Sequence, residues 1–495
     1  SFKGHDISGL RAYFNDSYEV DDARGEANYT PMFFDEFQKR RSYDLRRYIP
    51  ALLGQDSEQY NQRVLCDYRE TISDLILEKY TQRWHDWAAS GGKIIRNQAH
   101  GAPANILDLY AAADIPETEG EDIVKMKTAS SAAHVTGKKL VSSESATWLR
   151  DHFETSLTDV KQAIDLFLLS GINHVFYHGT TYSPQDVPWP GWMFYAAVHF
   201  GPTNTIWNDF ATLNTYIARS QSFLQAGKPD NDILLYYPIS DEYAVRGKSL
   251  LVHFDGASKG STVRQAAEYL WGKGYAFDYI SDKQVVQLET KSGKLLTGGV
   301  EYQTILLPPV KLMPLETFEK VLSLAKNGAT ILMEEMPEDV PGLTRLKERQ
   351  TRFKLLKGSL NLVQQPGSSV QKVKVGKGQI IVGSLTEILI QAKLRHEIMT
   401  DKNMQCIRRI NGGNTVYFIV NRGKDYVNGM VSVDTPIGSA VVYNPMTGNF
   451  GKARTKSFET FGEVYLQLKP GESCIVEIYP NDITAPEYAY RNEYG

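Results

Sequence analysis

Residues 138–179 have the sequence KKLVSSESATWLRDHFETSLTDVKQAIDLFLLSGINHVFYHG, which contains one complete strand–helix–strand unit. The segment Lys138–Ser142 predicts a strand that ends in the polar residues Ser143-Glu144-Ser145. Apolar residues at helical spacing then predict a helix over 158–170, which Gly171 ends. A second strand is predicted over 173–177. Strand, polar loop, helix and strand in this order are typical of a parallel sheet.

The same alternation recurs upstream of this unit. Short strands are predicted at 11–14, 93–97 and 111–115, with helical patterns between them. We count about five βα units, whereas a closed (β/α)8 barrel requires eight. The fold class is therefore predicted to be α/β, with part of a (β/α)8 TIM barrel over 1–228. About three further units are expected upstream of Ser1.

Two more regions are predicted after the barrel, beyond a linker at Pro229–Asp232. Alternating strands and helices over 229–374 predict a flavodoxin-like α/β domain, which lacks a GxGxxG motif for a dinucleotide. Strands of period two with turn sequences between them predict a β-sandwich domain over 375–482. Both ends of the chain look cut, and residues 483–495 are expected to begin a further region.

The composition argues against several classes of protein. A net charge of -4 over 495 residues argues against a broad basic face for nucleic acid. No apolar run reaches about 18 residues, so no membrane span is predicted. Three widely separated cysteines without CxxC spacing argue against a thiolate metal cluster and a disulfide framework. The 28 Tyr, 20 Phe and 7 Trp fit large cores or carbohydrate binding, because sugar rings stack on aromatic faces.

Three glutamates follow predicted strands of the barrel, namely Glu19, Glu119 and Glu144. Strand ends meet at one face of a parallel barrel, so these carboxylates are expected to converge on one pocket. Hydrolysis of a glycosidic bond requires two carboxyl groups, of which one protonates the leaving oxygen and the other attacks the sugar or activates water. A single glutamate at a strand end can instead cap the next helix. Three in separate units favour catalysis.

Other polar side chains near the strand ends have two interpretations. Glu117 and Glu119 lie in the acidic run 116–122, which is either a Ca²⁺ site of clustered carboxylate oxygens or a solvated loop. His100 and His178 also follow predicted strands, where they either bind sugar hydroxyls or are ordinary satisfied polar residues. The two histidines lack HExxH spacing, which argues against a zinc protease.

The segment 182–195 is stiffened by three prolines and brings Trp189 and Trp192 close together in the sequence. It predicts an aromatic wall for a sugar, because indole faces stack on pyranose rings. The alternative is a rim loop of the barrel that packs on its own helix.

Several of these segments, in this order, together resemble the α-L-rhamnosidases of glycoside hydrolase family 106. The segments are 15–19 (NDSYE), 34–44, 114–119 (DIPETE), 142–145 (SSES), 178–192 and 221–232. The resemblance implies inverting hydrolysis of α-L-rhamnosides, with a calcium ion near the sugar hydroxyls. It implies that Glu19 is the general acid and Glu144 the general base. For Glu119 it leaves two roles open, a share in the base or a calcium ligand.

We therefore expect a bacterial exo-acting α-L-rhamnosidase that removes terminal rhamnose from plant pectic or other decorated glycans. The family resemblance implies a periplasmic or secreted location. Two rival hypotheses remain open. One is a retaining β-galactosidase-like enzyme, whose carboxyl groups would stand about 5 Å apart instead of about 6.5–9.5 Å. The other is a non-catalytic carbohydrate-binding protein on the same fold.

Overall fold

The computed structural model describes residues 4–18, 29–147, 149–196, 198–247 and 249–491. Its helices are α1 (Phe33–Arg41), α2 (Ile49–Leu52), α3 (Glu58–Leu75), α4 (Gln82–Ser90), α5 (Ile106–Ala112), α6 (Ile123–Val135), α7 (Leu157–Leu169), α8 (Phe210–Leu224), α9 (Ile239–Ala244), α10 (Thr262–Gly272), α11 (Asp282–Val285), α12 (Leu315–Lys326), α13 (Leu346–Gly358) and α14 (Leu385–Ala392). A π-helical turn, Ile76–Thr81, joins α3 to α4. Among the residues described, no helix combines the length and apolar character needed to cross a bilayer.

Within the described residues, the strands form five sheets. They are β1 (Ala12–Asn15), β2 (Ile94–Gln98), β3 (Ile115–Thr118), β4 (Ser142–Ser145), β5 (His174–Tyr177), β6 (Lys228–Pro229), β7 (Ile233–Tyr236), β8 (Phe277–Ile280), β9 (Glu289–Lys291), β10 (Lys294–Thr297), β11 (Val300–Tyr302), β12 (Thr304–Leu307), β13 (Thr330–Met333), β14 (Val363–Gln364), β15 (Gln371–Val375), β16 (Gly378–Val382), β17 (Met404–Asn411), β18 (Asn414–Asn421), β19 (Val427–Val433), β20 (Ser439–Tyr443), β21 (Phe450–Lys452), β22 (Thr455–Ser457), β23 (Gly462–Leu468) and β24 (Ser473–Tyr479).

Strands β1 to β5 form one parallel sheet in sequential order, which is the expected half-barrel. The strand predicted at 111–115 is wrong by several residues. Residues Ile106–Ala112 form α5, whose first turn is capped by the side chain of Asn105, and the strand is Ile115–Thr118. A short apolar run does not distinguish helix from strand, because it carries no period of its own.

Helix α6 packs against the half-barrel through small side chains. Ala129, Ser130 and Ala132 are fully buried, so the helix approaches its neighbours closely. Gly171, at the start of the loop before β5, has φ +95°, and a Cβ there would lie 2.9 Å from the Cβ of Ser130. The glycine that ends α7 in the sequence is therefore also required by the packing of α7 on α6.

The second sheet has the order β14-β15-β16-β13-β12-β7-β8. Its five parallel strands, β8-β7-β12-β13-β16, stand in the order 2-1-3-4-5 of flavodoxin-like folds. A small antiparallel sheet of β9, β10 and β11 lies between β8 and β12 in the chain. The strands are buried and rich in Leu and Ile, as the two covered faces of a parallel sheet require.

Two antiparallel sheets close the chain, and they share one apolar core. The larger has the order β21-β20-β24-β18-β17-β6, and the smaller has the order β19-β23-β22. The boundary predicted at residue 375 is not where these sheets begin, since β15 and β16 belong to the α/β sheet and β17 starts at Met404. The sequence of β15, Gln-Lys-Val-Lys-Val, alternates like that of a sandwich strand, and only its pairing with β14 and β16 separates it from the sandwich.

Candidate active site

The carboxyl ends of the half-barrel strands carry the polar side chains that the sequence singled out. Glu144 lies within β4, and Glu119 directly follows β3. His100 lies just beyond β2, and His178 directly follows β5. Parallel strands place these ends along one edge of the sheet, and the four side chains meet there. Glu19 lies outside the described residues.

Glu119 and Glu144 form a carboxyl pair whose side chains are hydrogen-bonded to each other. His100 Nε2 lies 3.2 Å from Glu119 Oε1, and His178 Nδ1 lies 3.5 Å from Glu144 Oε1. Burial, and then the charge of Glu119, raise the pKa of Glu144. The hydrogen bond with His100 lowers the pKa of Glu119. The two carboxyl groups therefore differ in pKa, which lies above the usual value for Glu144 and below it for Glu119.

Two neighbours hold the carboxyl group of Glu144 in place. Gln98 Nε2 donates a hydrogen bond of 2.6 Å to Glu144 Oε2, and Thr147 Oγ1 donates one of 2.7 Å to Glu144 Oε1. Both donors favour the ionised form, so they oppose the effect of burial on the pKa of Glu144. Sequence reasoning missed both residues. The alternation of side chains along β2 could have placed Gln98 on the inner face of the sheet.

Glu117 is a buried member of β3 and not part of a solvated acidic loop. Its side chain is 1% exposed, and burial raises its pKa. Arg96 Nε lies 3.2 Å from Glu117 Oε2, and Ser142 Oγ donates a 2.6 Å bond to that oxygen. Gln98 Nε2 lies 3.3 Å from Glu117 Oε1, so one amide group contacts both Glu117 and Glu144. The expectation that Glu117 is a cation ligand is not supported by this geometry, because protein donors already occupy both of its oxygens.

Arg96, the partner of Glu117, is held between two aromatic rings. Its guanidinium carbon lies 4.2 Å from the ring centre of Phe14 and 3.5 Å from that of Phe176. These rings belong to β1 and β5, so the cation–π contacts connect the two outer strands of the half-barrel to β2.

Among the described residues, acidic side chains alone do not form a calcium site. Calcium takes six to eight oxygen ligands, and the described part of the chain gathers no three acidic, histidine or cysteine side chains around a point where a metal could sit. Glu119, the other predicted ligand, is engaged by His100 and Glu144. The calcium ion that the resemblance implies would therefore need oxygen ligands outside this set.

Trp189 and Trp192 lie on the loop that follows β5, at the same end of the sheet as the carboxyl pair. Both are exposed, by 71% and 54%, and neither is buried against α8. Trp189 Nε1 donates a 3.0 Å hydrogen bond to the backbone oxygen of Thr203.

A parallel barrel sheet with paired carboxyl groups at its carboxyl ends is typical of glycoside hydrolases. The comparison with known families agrees, and it is specific: the family described as alpha-L-rhamnosidase, glycoside hydrolase family 106, matches residues 3–454. The chain belongs to this family, and the resemblance noted in the sequence is confirmed.

Individual relatives have low sequence identity to this chain. The chain is similar to a protein of Formosa agariphila named "Putative beta-glucuronidase", with 28% identity over 480 residues that cover 94% of this chain and 38% of the relative. The rhamnosidase structure from Novosphingobium sp. PP1Y has a TM-score of 0.80 and 25% identity, and the match covers 98% of this chain and 46% of that one. A beta-galactosidase from Bacillus circulans sp. alkalophilus shares the fold alone, with a TM-score of 0.61, 10% identity, and coverage of 94% and 79%. The chain thus spans less than half the length of the first two relatives.

Proposed function

We propose that the protein carrying this chain is an inverting exo-α-L-rhamnosidase that removes terminal rhamnose from plant pectic or other decorated glycans. The observation that carries the proposal is the carboxyl pair of the buried Glu144 and the partly exposed Glu119 at the strand ends, flanked by His100 and His178. Membership of the α-L-rhamnosidase family is the reason for proposing rhamnose as the sugar that is removed. A bacterial protein that is periplasmic or secreted would meet such glycans.

The pair constrains the roles of its members. An inverting acid and base stand about 6.5–9.5 Å apart, with a water and the sugar between them. Two carboxyl groups in hydrogen-bond contact leave no room for that water. We therefore place Glu119 and Glu144 on the same side of the sugar and assign them jointly to the base. Glu19, four residues after the end of β1, is our candidate for the acid on the opposite side.

The raised pKa of Glu144 supports this role, because a base works best when its pKa lies close to the operating pH. Glu144 would accept the proton of the attacking water, and the charge of the neighbouring Glu119 raises the pKa of Glu144 for this role. His178, Trp189 and Trp192 would then contact the carbohydrate substrate. A calcium ion, if it assists, would be held by residues other than Glu117.

The experiment is turnover of an aryl α-L-rhamnoside by the intact protein. Glu144→Gln and Glu119→Gln are each expected to lower kcat by about 10²–10⁴-fold, since a positioned acid–base group contributes that much. Glu121→Gln is the matched control, because Glu121 is an exposed acid of the same run, and it should leave kcat unchanged. NMR of the first-formed anomer should show inversion.

Four results would contradict the proposal. Full activity in both pair variants would remove the carboxyl pair from the mechanism. Net retention would favour a β-galactosidase-like mechanism. Turnover of an aryl β-glucuronide or β-galactoside but not of the rhamnoside would show that the substrate is a different glycoside. Binding without turnover would indicate a carbohydrate-binding protein.

A further inference from the structure

The loop after β5 exposes more aromatic surface than folding requires. Tyr182 is 80% exposed and Tyr195 is 68% exposed, in addition to Trp189 and Trp192. Large apolar faces presented together to solvent are uncommon on a protein surface and mark binding sites. These four side chains lie at the end of the sheet that carries the carboxyl pair, so we expect a ligand of the active site to contact them.

Trp189 is held rigidly although its ring is exposed. Its indole N–H is fixed on Thr203, and its ring centre lies 5.6 Å from that of Phe153. Phe153 in turn stacks on His199 at 4.8 Å, with an angle of 10° between the ring planes. The support comes from two loops, one after β4 and one after β5. A ring fixed in this way loses little conformational entropy when a ligand covers it.

The loop itself is braced next to Trp192. Ser183 Oγ accepts a 2.7 Å hydrogen bond from the backbone N–H of Trp192. Gly191 has φ +91°, and a Cβ at this position would lie 2.5 Å from Ser183 Oγ. Only glycine lets the chain turn this closely over Ser183, so the orientation of the two tryptophans is set by the loop backbone.

One of the exposed rings, that of Tyr195, lies close to the carboxyl pair. The ring of His178, which is next to Glu144, lies 4.9 Å from that of Phe194 and 6.5 Å from that of Tyr195. Tyr195 therefore begins the aromatic surface one side chain away from the catalytic carboxyls. A sugar whose glycosidic bond reaches Glu144 would extend its next ring onto this loop.

We propose that Trp189, supported by Phe153, is the stacking platform for the sugar ring on the leaving-group side of the cleaved bond. The platform is an uncharged aromatic face, which suits the C–H face of a pyranose and not a charged group. The substrate class is accordingly an oligosaccharide or polysaccharide with at least one pyranose beyond the terminal rhamnose. This inference rests on the proposed function, because it takes the carboxyl pair as the point of cleavage.

The test compares two substrates that differ only on the leaving-group side. One is α-L-rhamnosyl fluoride, whose fluoride leaving group has no ring that could stack on Trp189. The other is a trisaccharide with α-L-rhamnose at its non-reducing end. Trp189→Ala in the intact protein should lower kcat/KM for the trisaccharide about tenfold more than for the fluoride, the size expected for one aromatic stacking contact. Trp189→Phe should recover most of the difference.

Trp87→Ala is the matched control, because Trp87 is 56% exposed but lies on α4, which precedes β2 and therefore lies away from the carboxyl ends. This variant should leave both substrates unaffected. An equal loss on both substrates, or none, in Trp189→Ala overturns the platform while leaving the rhamnosidase proposal intact.

A protein that hydrolyses neither substrate contradicts the proposed function, and calorimetry then tests the platform. Trp189→Ala should weaken trisaccharide binding about tenfold more than binding of free rhamnose. Equal effects on both ligands, or no trisaccharide binding by the unmodified protein, would overturn the inference.

Discussion

At the residue scale, one amide group sets the orientation of the candidate base. Gln98 Nε2 is 2.6 Å from Glu144 Oε2 and 3.3 Å from Glu117 Oε1. Arg96 and Ser142 hold Glu117 from its other side. Both atoms next to the amide nitrogen are carboxyl oxygens, which accept hydrogen bonds. If the amide group turned over, its own oxygen would face these acceptors, which is unfavourable. Glu117 is in this way a positioning residue for Glu144 through Gln98.

The pH profile of the intact enzyme tests this arrangement. Gln98→Leu removes a donor that lowers the pKa of Glu144, so that pKa rises and the acid limb of kcat/KM moves to higher pH. On that limb the loss should be about 10- to 100-fold, since a hydrogen bond to a charged group contributes about 1.5–3 kcal/mol. Ser143→Ala is the control, because its hydroxyl bonds to Ser145 and not to the carboxyl pair. An acid limb that stays in place in Gln98→Leu would contradict the role of Gln98.

At the element scale, a helix of the half-barrel holds a loop of the neighbouring region. Arg69 of α3 is 2% exposed, and its guanidinium donates to the backbone oxygens of Glu242, Tyr243, Val245, Ser249 and Leu250. Burial lowers the pKa of Arg69 to about 10. Arg69 thus supplies hydrogen-bond donors to carbonyl groups in the last turn of α9 and in the irregular segment that follows it, where no further helix or strand supplies them.

Replacing Arg69 should therefore loosen that segment. Arg69→Met keeps the length of the side chain but leaves the carbonyl oxygens without their donor, at a cost of about 2–4 kcal/mol in the free energy of unfolding. Urea unfolding measures the cost, and limited proteolysis should show faster cleavage within 245–250. Arg46→Met, at an exposed residue paired with Asp44, should change stability by less than about 0.5 kcal/mol. Equal destabilisation by both variants would show that Arg69 has no special part in holding the loop.

At the scale of the whole molecule, the predicted linker is a buried ionic junction. Asp232 Oδ2 lies 2.6 Å from Arg408 Nη2 of β17, and Arg408 Nη1 lies 2.9 Å from Glu397 Oε1. Arg395 Nη2 lies 2.8 Å from both Asp230 Oδ1 and Asp232 Oδ1. The residues between the half-barrel and β7 thus bind the first long strand of the sandwich sheet. The composition of Pro229–Asp232 is that of a linker, but its charges are paired across the fold.

Breaking this junction should free the sandwich sheet locally. Asp232→Asn leaves Arg408 buried with a weaker set of partners, and removing one partner of a buried ion pair costs about 3–5 kcal/mol. Amides of β17 and β7 should then exchange with solvent about 100-fold faster in hydrogen-exchange measurements. Glu319→Gln, which breaks the exposed pair with Arg352, is the control and should leave exchange unchanged. Unchanged protection of β17 in Asp232→Asn would argue against the junction.

The sequence by itself determined the half-barrel and its five βα units, and it placed His100, Glu119, Glu144 and His178 near strand ends, although the strands at Glu119 and Glu144 were predicted several residues too early. These follow from hydrophobic period and from the rule that parallel strands end at one face, which are both local properties of the chain. The tertiary structure alone decided that Glu119 and Glu144 share a hydrogen bond, that Glu117 is neutralised by Arg96, and that Gln98 connects them. It also decided that β15 and β16 join the α/β sheet. Contacts between residues far apart in the chain have no local period, so only the packed fold determines which carboxyl group is buried, in which direction each pKa is shifted and which strand pairs with which.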